Sequence, residues 1–283
     1  MKDTGSELIH QAGGVEILRY VYRPEMPVRE SPKPYFHPLR TLAGDVVTGY
    51  RPHDHRWHKG LQMTASHLSG QNFWGGGSYD REQARYVQRA NNGSMRHEEW
   101  LAPGEERLTW QTQAGEPWVE EIRRFRVTVE GTWWRLDFAT SLRNIRGEDL
   151  VFGSPATHGR PLAGYTGLFW RGPRDFTGGA IVSSGGRGGE EMMGQEAPWL
   201  AYTGKHDEVD RASTLIFLGA PGQRWFCRNA WFAAVNPSFA FDEEVRLPPG
   251  ATLGLAYALV VADGAWDRER IEEHVSRAAP PDV

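Results

Sequence analysis

Cysteine is almost missing from this chain: Cys227 stands alone in 283 residues. A single thiol excludes an internal disulfide framework and fits a reducing compartment. An excess of positive charge is missing as well. With a formal net charge of -4, the chain has no basic field to hold nucleic acid or an anionic membrane. Long apolar runs are missing too, since the longest clean one, LGLAYALVVA, covers only 253–262. A membrane-spanning helix needs about 20 such residues. The N-terminal MKDTGSELIHQAGG has no apolar segment of the length a secretory leader requires. These absences predict a soluble, cytoplasmic protein whose partner is a small molecule, and they leave the oligomeric state open. No G-x-G-x-x-G, Walker-type loop, CxxC pair or G-x-S-x-G elbow occurs, so nucleotide-binding, zinc-finger and serine-hydrolase readings have no support.

Alternation is what the chain has in quantity. In WVEEIRRFRVTVEGTWWRLDFATSL, Phe125, Val127 and Val129 alternate with Arg124, Arg126 and Thr128. After Glu130-Gly131, Trp134, Leu136 and Phe138 alternate with Arg135 and Asp137. That pattern predicts a hairpin with one wet face. Similar short runs at GVEILRYVYRP, DVVTGYRP, KGLQMTASHL, RLTWQTQA, TLIFLGA, WFAAV and ATLGLAYALVV are separated by Gly, Pro, Asn or Asp. Helical pattern is scarce. REQARYVQRANNG from Arg81 reads as a surface helix, and WDRERIEEHVSRAAPP carries Ile271 and Val275 on one face before a proline stop. The 33 glycines and 18 prolines are scattered, so no linker stands out. The reading is all-β: a single domain over 1–283, a large antiparallel β-sandwich with one or two short helices.

The densest chemistry is RPHDHRWHKG at 51–60. If the strand continues through it, His53 and His55 share one face and Asp54 takes the other, and His58 must fold back to join them. Three readings stand. Imidazoles beside a carboxylate suit proton transfer. His53, His55 and His58 converging would suit a divalent metal ion. A structural network would use the rings to satisfy buried backbone groups. An HxH pair also occurs in cupins, but the position where a cupin places its carboxylate is Lys59-Gly60 here.

A second constellation lies in THGRPLAGYTGLFWRGPRDFTGG, where His158, Arg160, Tyr165, Trp170, Arg171 and Arg174 are interleaved with glycine. Arginine forks beside aromatic faces suit a polyhydroxylated or carboxylated ligand. The plain alternative is that Tyr165, Phe169 and Trp170 are sheet core and the arginines solvated. Of the 12 tryptophans, Trp57, Trp74, Trp170 and Trp231 read as pocket wall, and Trp133 and Trp134 as packing. Arg228 and Asn229 interrupt an apolar run and belong to a polar network or to the same site. Cys227 reads as a buried small hydrophobe.

KPYFHPLRTLAGDVVTGYRPHDHRWHKGLQ, NFWGGG, GRPLAGYTGLFWRGPRDFTGG and NPSFAFDEEVRLPPGATLGLAYALVVADG, in that order, resemble the bacterial "PmoA family" proteins. That group is of unknown function and is often labelled methane oxygenase. The resemblance runs from about Lys33 to Gly264 and implies a carbohydrate-linked role, since family members look like proteins encoded beside sugar-type oxidoreductases and isomerases. The matching positions are His37, Arg40, His53, Asp54, His55, His58 and Gly60, then Gly159, Arg160, Pro161, Gly164, Tyr165, Arg171 and Pro173. Trp57 and Lys59 depart from the pattern. The oxygenase label does not fit a chain without spanning helices. By analogy the sandwich is a supersandwich of the galactose-mutarotase type, which fixes no reaction.

Together these readings point to a carbohydrate-active enzyme working on a sugar or glycoside derivative by histidine acid/base chemistry: epimerisation, elimination or a related cleavage. His55 and His58 are the acid/base pair, His158 a third candidate, and Arg160 or Arg171 the oxyanion partner. Arg40, His53, Asp54, Tyr165 and Trp170 complete the substrate-binding set. His55, His58, His158 and Arg171 are expected across one pocket. The alternatives are a non-catalytic carbohydrate-binding protein, and a metal-dependent oxygenase or hydrolase built on His53, His55 and His58.

Overall fold

The computed structural model describes residues 1–278. Strand accounts for 49% of it and helix for 8%, and two eight-stranded antiparallel sheets carry most of that strand. The first sheet runs, edge to edge, through Lys2–Asp3, Glu7–Ala12, Val15–Val21, Tyr35–Leu39, Leu61–Ala65, Thr166–Arg171, Ala234–Ser238 and Arg224–Arg228. The second runs through Ala180–Ser183, Trp199–Lys205, Ala212–Leu218, Thr252–Asp263, Trp133–Asn144, Pro117–Glu130, Glu105–Gln111 and Ser94–Ala102. The protein is an all-β antiparallel sandwich.

The alternation read from the sequence sets the hairpin register. Phe125 faces Phe138 and Val127 faces Leu136, with Gly131 and Thr132 between the strands. Gly131 takes φ +52°, which suits the tight two-residue link. Phe36 of the first sheet meets Phe125 at 5.3 Å and Phe138 at 6.2 Å, both edge-on. Burying each such ring contributes about 1.5–3 kcal/mol relative to leaving it exposed, and these contacts hold the two inner faces together.

The outer faces differ. That of the second sheet is covered by the helix Arg268–Arg277, which Asp267 caps by accepting from the Arg270 amide. Ile271 is fully buried among Ala201, Ile216 and Val260, and Val275 packs beside it. The proline stop at Pro280 lies outside the described residues. That of the first sheet carries Phe169, Phe226 and Ala234, which form a separate cluster with Trp74, Tyr165 and Phe241. This second apolar layer is the floor of the candidate site. The expected helix at Arg81 is instead a β-hairpin: Ser78–Asp80 pairs with Arg85–Val87 across a turn. Its polar residues contain no apolar face at helical spacing, and the cross-strand contact of Tyr79 with Tyr86, 5.6 Å between rings, takes over.

Candidate functional site

The RPHDHRWHKG segment does not continue a strand. A bridge between Tyr50 and Lys59 closes it as a loop, reinforced by Arg51 N–H to His58 O at 2.8 Å and Gly60 N–H to Gly49 O at 2.9 Å. Inside, two consecutive turns are closed by His55 N–H to Pro52 O, 3.0 Å, and His58 N–H to His55 O, 2.9 Å. Period-2 alternation therefore fails, and His53 parts from His55. His53 is exposed and meets Arg174 at 3.0 Å. His55 stacks on His58, with ring centroids 4.8 Å apart. Gly60 is required here: a Cβ on it would sit 2.2 Å from Phe36 O. Gly75 does the same for the neighbouring wall, where a Cβ would strike that of Trp57 at 2.4 Å.

Charges under the loop fix its place. Buried Glu30 accepts from Arg51 at 2.6 Å and from Lys59. Buried Lys33 donates to the carbonyls of Ser31 (2.8 Å), Trp74 (2.9 Å) and Glu30 (3.2 Å). A cation with three acceptors ties the Glu30 segment to the wall that carries Trp74.

The electrostatics separate the two stacked rings. His58 is buried, and Arg171 NH1 lies 3.4 Å from its Nδ1. A guanidinium can only donate, so Nδ1 accepts and the imidazole proton sits on Nε2. That nitrogen is buried without a partner. Burial first, then the neighbouring His55, Arg171 and Lys33, hold the His58 pKa well below its usual value. His58 is thus a neutral donor at pH 7. His55 is also lowered by burial, but Asp54 opposes this. Its Nδ1 lies 3.2 Å from Asp54 Oδ2, off the hydrogen-bond line. A proton held on that side by the carboxylate leaves Nε2 of His55 as the basic nitrogen. Burial lowers the Arg171 pKa to about 10, which still leaves it charged.

Asp54, His55 and His58 open into a cavity of about 610 Å³ whose walls include Trp57, Trp74, Phe169, Phe226, Trp231 and Phe232. Its polar lining is completed by Arg29, Tyr86, Gln88, Arg160, Tyr165 and Arg228. Tyr165 and Tyr86 share a short hydroxyl–hydroxyl bond, and Arg160 donates to Tyr86. Arg171 lies just behind, its guanidinium 4.0 Å from the Phe232 ring centre.

Of the expected residues, the structure gathers Asp54, His55, His58, Arg160 and Tyr165 on one cavity, with Arg171 against His58. It keeps four away from that lining, and each has a physical reason. His158 packs on His67 with ring centroids 3.9 Å apart and bonds to Ser154 O and Thr157. Arg40 is engaged with Glu16. His53 follows the turn outward. Trp170 faces the sheet–sheet core, donating to Val47 O, because alternation along Thr166–Arg171 sends Phe169 to the cavity and Trp170 to the opposite side. Among the described residues no three of His, Cys, Asp and Glu converge as a metal-ligand set, so the convergence of His53, His55 and His58 is corrected.

Sequence reasoning missed Glu30, Lys33 and Lys59, whose pairing only the tertiary fold creates. It missed Tyr86, hidden in the segment read as a helix. Trp57, Trp74 and Trp231 were flagged by their neighbours and do line the cavity. Arg228 and Asn229 belong to a network on Glu190, which accepts from Arg228 at 2.8 Å and from the Asn229 amide at 3.0 Å. This carboxylate holds the turn that carries Trp231.

The chain belongs to the Family of unknown function (DUF6807), which it matches over residues 8–276. No curated protein matches it. Among solved structures it is similar to a mutant heparan sulfate lyase from Pedobacter heparinus, at 10% identity and a TM-score of 0.37, over 88% of this chain and 34% of that one. It is also similar to an alpha-galactosidase from Lactobacillus brevis, at 11% identity and a TM-score of 0.41, over 88% and 38%. The chain thus spans little more than a third of the length of these structures. No helix among the described residues is long and apolar enough to cross a membrane.

Proposed function

We propose that this protein is an enzyme acting on a sugar or glycoside derivative by proton abstraction and return, with His55 and His58 in different roles. His55, whose Nδ1 faces the Asp54 carboxylate at 3.2 Å and so favours the proton on that side, takes a proton through Nε2 from a carbon next to a substrate carbonyl. The C–H electron pair moves into the carbon–carbon bond as the carbonyl oxygen becomes an enolate oxygen. The Nε2–H of His58 hydrogen-bonds that oxygen, and Arg171 fixes the tautomer that makes this possible. Return of a proton by His55 to the same face is exchange, and delivery of one to the opposite face by a second donor is epimerisation. Loss of a β-substituent instead is elimination.

The observation that carries the reading is the buried, unpartnered Nε2 of His58 beside the Asp54–His55 pair in an aromatic cavity. A buried donor without a partner costs about 1–3 kcal/mol, which a ligand oxygen would offset. The resemblance to the PmoA-family proteins, with their sugar-linked neighbours, points the same way.

Incubation with a panel of oxidised sugars in D2O, followed by proton NMR, tests it. We expect solvent deuterium to enter one carbon position with the wild-type protein and not with His55→Gln. Exchange that survives His55→Gln would overturn the assignment.

One observation favours a second reading. Trp231 is 84% exposed at the cavity rim, as a stacking platform in a non-catalytic sugar-binding protein would be. In that case sugar affinity persists in His55→Ala and no deuterium enters with either protein.

A further inference from the structure

The charges around the cavity do not balance. Arg29, Arg160 and Arg228 line it, against Asp54 alone among acidic residues. Arg228 is matched by Glu190. Asp54 is engaged by His55 at 3.2 Å and Arg174 at 3.7 Å. Arg29 and Arg160 meet no carboxylate among the described residues, and they belong to the same wall system as Tyr86. Buried Arg171 is in the same position, its side-chain hydrogen bond going to an uncharged imidazole. For buried Arg171 an unpaired charge is costly until an anion arrives, whereas Arg29 and Arg160 are exposed and offer an anion attraction at the cavity mouth without a burial cost to relieve.

The hydroxyl pair gives the excess a direction. Arg160 donates into the Tyr86 oxygen, which polarises Tyr86 and makes it the better donor of the two phenols. In the arrangement this favours, Tyr86 donates to the Tyr165 oxygen, and the Tyr165 proton is left for a further acceptor. Burial raises both phenols, so both keep their protons at pH 7. The Trp74 ring stands 4.4 Å from Tyr165 and 5.2 Å from His58. One aromatic side chain thus separates this donor from the proposed reacting end, a span that a single sugar ring bridges.

We infer that the ligand of this cavity is a sugar bearing an anionic group, a carboxylate or a phosphate, held between the free edge of Arg160 and the Tyr165 hydroxyl. This rests on the sugar reading above and adds the substrate class. One anionic oxygen accepts from the guanidinium and a second from the phenol. The ring lies against Trp74, with its reacting carbon toward His55.

Ligand-observed NMR titration at low salt tests it, using glucose, galactose and mannose against glucuronate, galacturonate and mannuronate, with glucose 6-phosphate as a further arm. At least one acidic sugar should bind about tenfold or more tighter than its neutral parent, as one charge-assisted bond requires. The uronates and the phosphate report separately which anion fits. Arg160→Gln should bring the affinity for the acidic sugar down to that for its neutral parent, and a wild-type unfolding midpoint shows that the variant is folded. Tyr165→Phe should reduce the difference in part. Equal binding of acidic and neutral sugars, or discrimination that survives Arg160→Gln, overturns the inference and leaves the proposed function standing. Absence of binding by every sugar overturns both.

Discussion

Two clusters in this molecule bring histidine, carboxylate and arginine together around a buried centre, and they treat their polar atoms in opposite ways. Between the sheets, each oxygen of buried Glu121 accepts two hydrogen bonds. Oε1 takes Arg123 at 2.8 Å and Thr140 at 2.7 Å, and Oε2 takes Arg123 at 3.0 Å and Trp110 at 2.6 Å. Arg123 goes on to Tyr20, Tyr20 to Glu106, and His97 closes the chain on Glu106 at 2.6 Å. The Glu121 carboxylate has no acceptor site left over. In the cavity, His58 has one long bond at 3.4 Å and one orphaned nitrogen, and His55 Nδ1 misses its carboxylate in angle. Residue types are much the same, and His58 and Arg171 are nearly as deeply buried as Glu121 and Arg123, while Asp54 and His55 reach the cavity surface. Completeness separates a cluster that holds the sheets together from the one we propose as a ligand site.

The largest effect expected from this comparison is on stability. Glu121→Ala strands the Arg123 guanidinium and the Trp110 N–H in the core and should cost about 3–5 kcal/mol by denaturant unfolding. Glu121→Leu combined with Arg123→Met removes both charges and should recover part of that loss. A single-variant loss under about 1 kcal/mol would show that the network contributes no more than a surface pair, and the contrast would collapse.

His58→Leu should behave in the opposite way. It removes a ring that is neutral, desolvated and poorly bonded, and it keeps much of the volume, so stability should stay within about 1 kcal/mol of the wild type or rise. Turnover in the deuterium assay should fall about 10²–10³-fold, as for loss of one preorganised oxyanion donor. A large loss of stability with activity retained would move His58 into the structural class and remove the distinction.

The sequence made these two clusters unequally visible. His53, His55 and His58 advertise themselves because they are adjacent, yet adjacency misled about geometry: two turns after Pro52 replace the strand, and His53 leaves the group. The inter-sheet network is spread over residues 20, 97, 106, 110, 121, 123 and 140. Arg123 and Glu121 read as ordinary members of an alternating hairpin, and nothing local says that Tyr20 and Glu106 will complete them. Lys59 is the sharpest case. It stood out as a departure from a motif, whereas its buried ammonium on Glu30 anchors the loop. Alternation, by contrast, carries through from sequence to structure wherever strands are long, as in Phe125 facing Phe138. It also explains why Phe169 and Trp170 part company.

Acid should expose a smaller difference. Burial, followed by the neighbouring His158, lowers His67 from 6.5 to about 4. Burial, followed by Arg40 and Arg19, lowers His37 to about 4. Because these folded-state values lie below the unfolded ones, the unfolded chain binds protons first as pH falls. Their contribution is therefore complete above about 6.5 and is lost between there and about 4. His67→Asn should flatten the fall in stability over that window, read as the unfolding midpoint at pH 7, 6, 5 and 4. An unchanged slope would place the acid sensitivity elsewhere.

The smallest effect concerns Cys227, which represents a third way of burying an ionisable group. Its side chain is fully buried in the core, its sulfur lies 3.8 Å from Gly189 O, and burial pushes the thiol up to about 12. The group needs no partner because it never ionises: a neutral thiol is nearly apolar and fits a hydrophobic core without the bonds that Glu121 demands. Neither an oxidant nor a second chain can reach it while the protein is folded. The thermal midpoint with and without reductant should therefore agree within about 1 °C, less than the roughly 2 °C that 1 kcal/mol produces in a chain of this size. The two sheets share one core through Phe36, Phe125 and Phe138, so that midpoint should belong to a single transition. A reductant-dependent shift of several degrees would mean that Cys227 becomes accessible at temperatures below global unfolding. The strand Arg224–Arg228, an edge of the first sheet, would then open before the rest, and with it the Trp231 wall of the cavity.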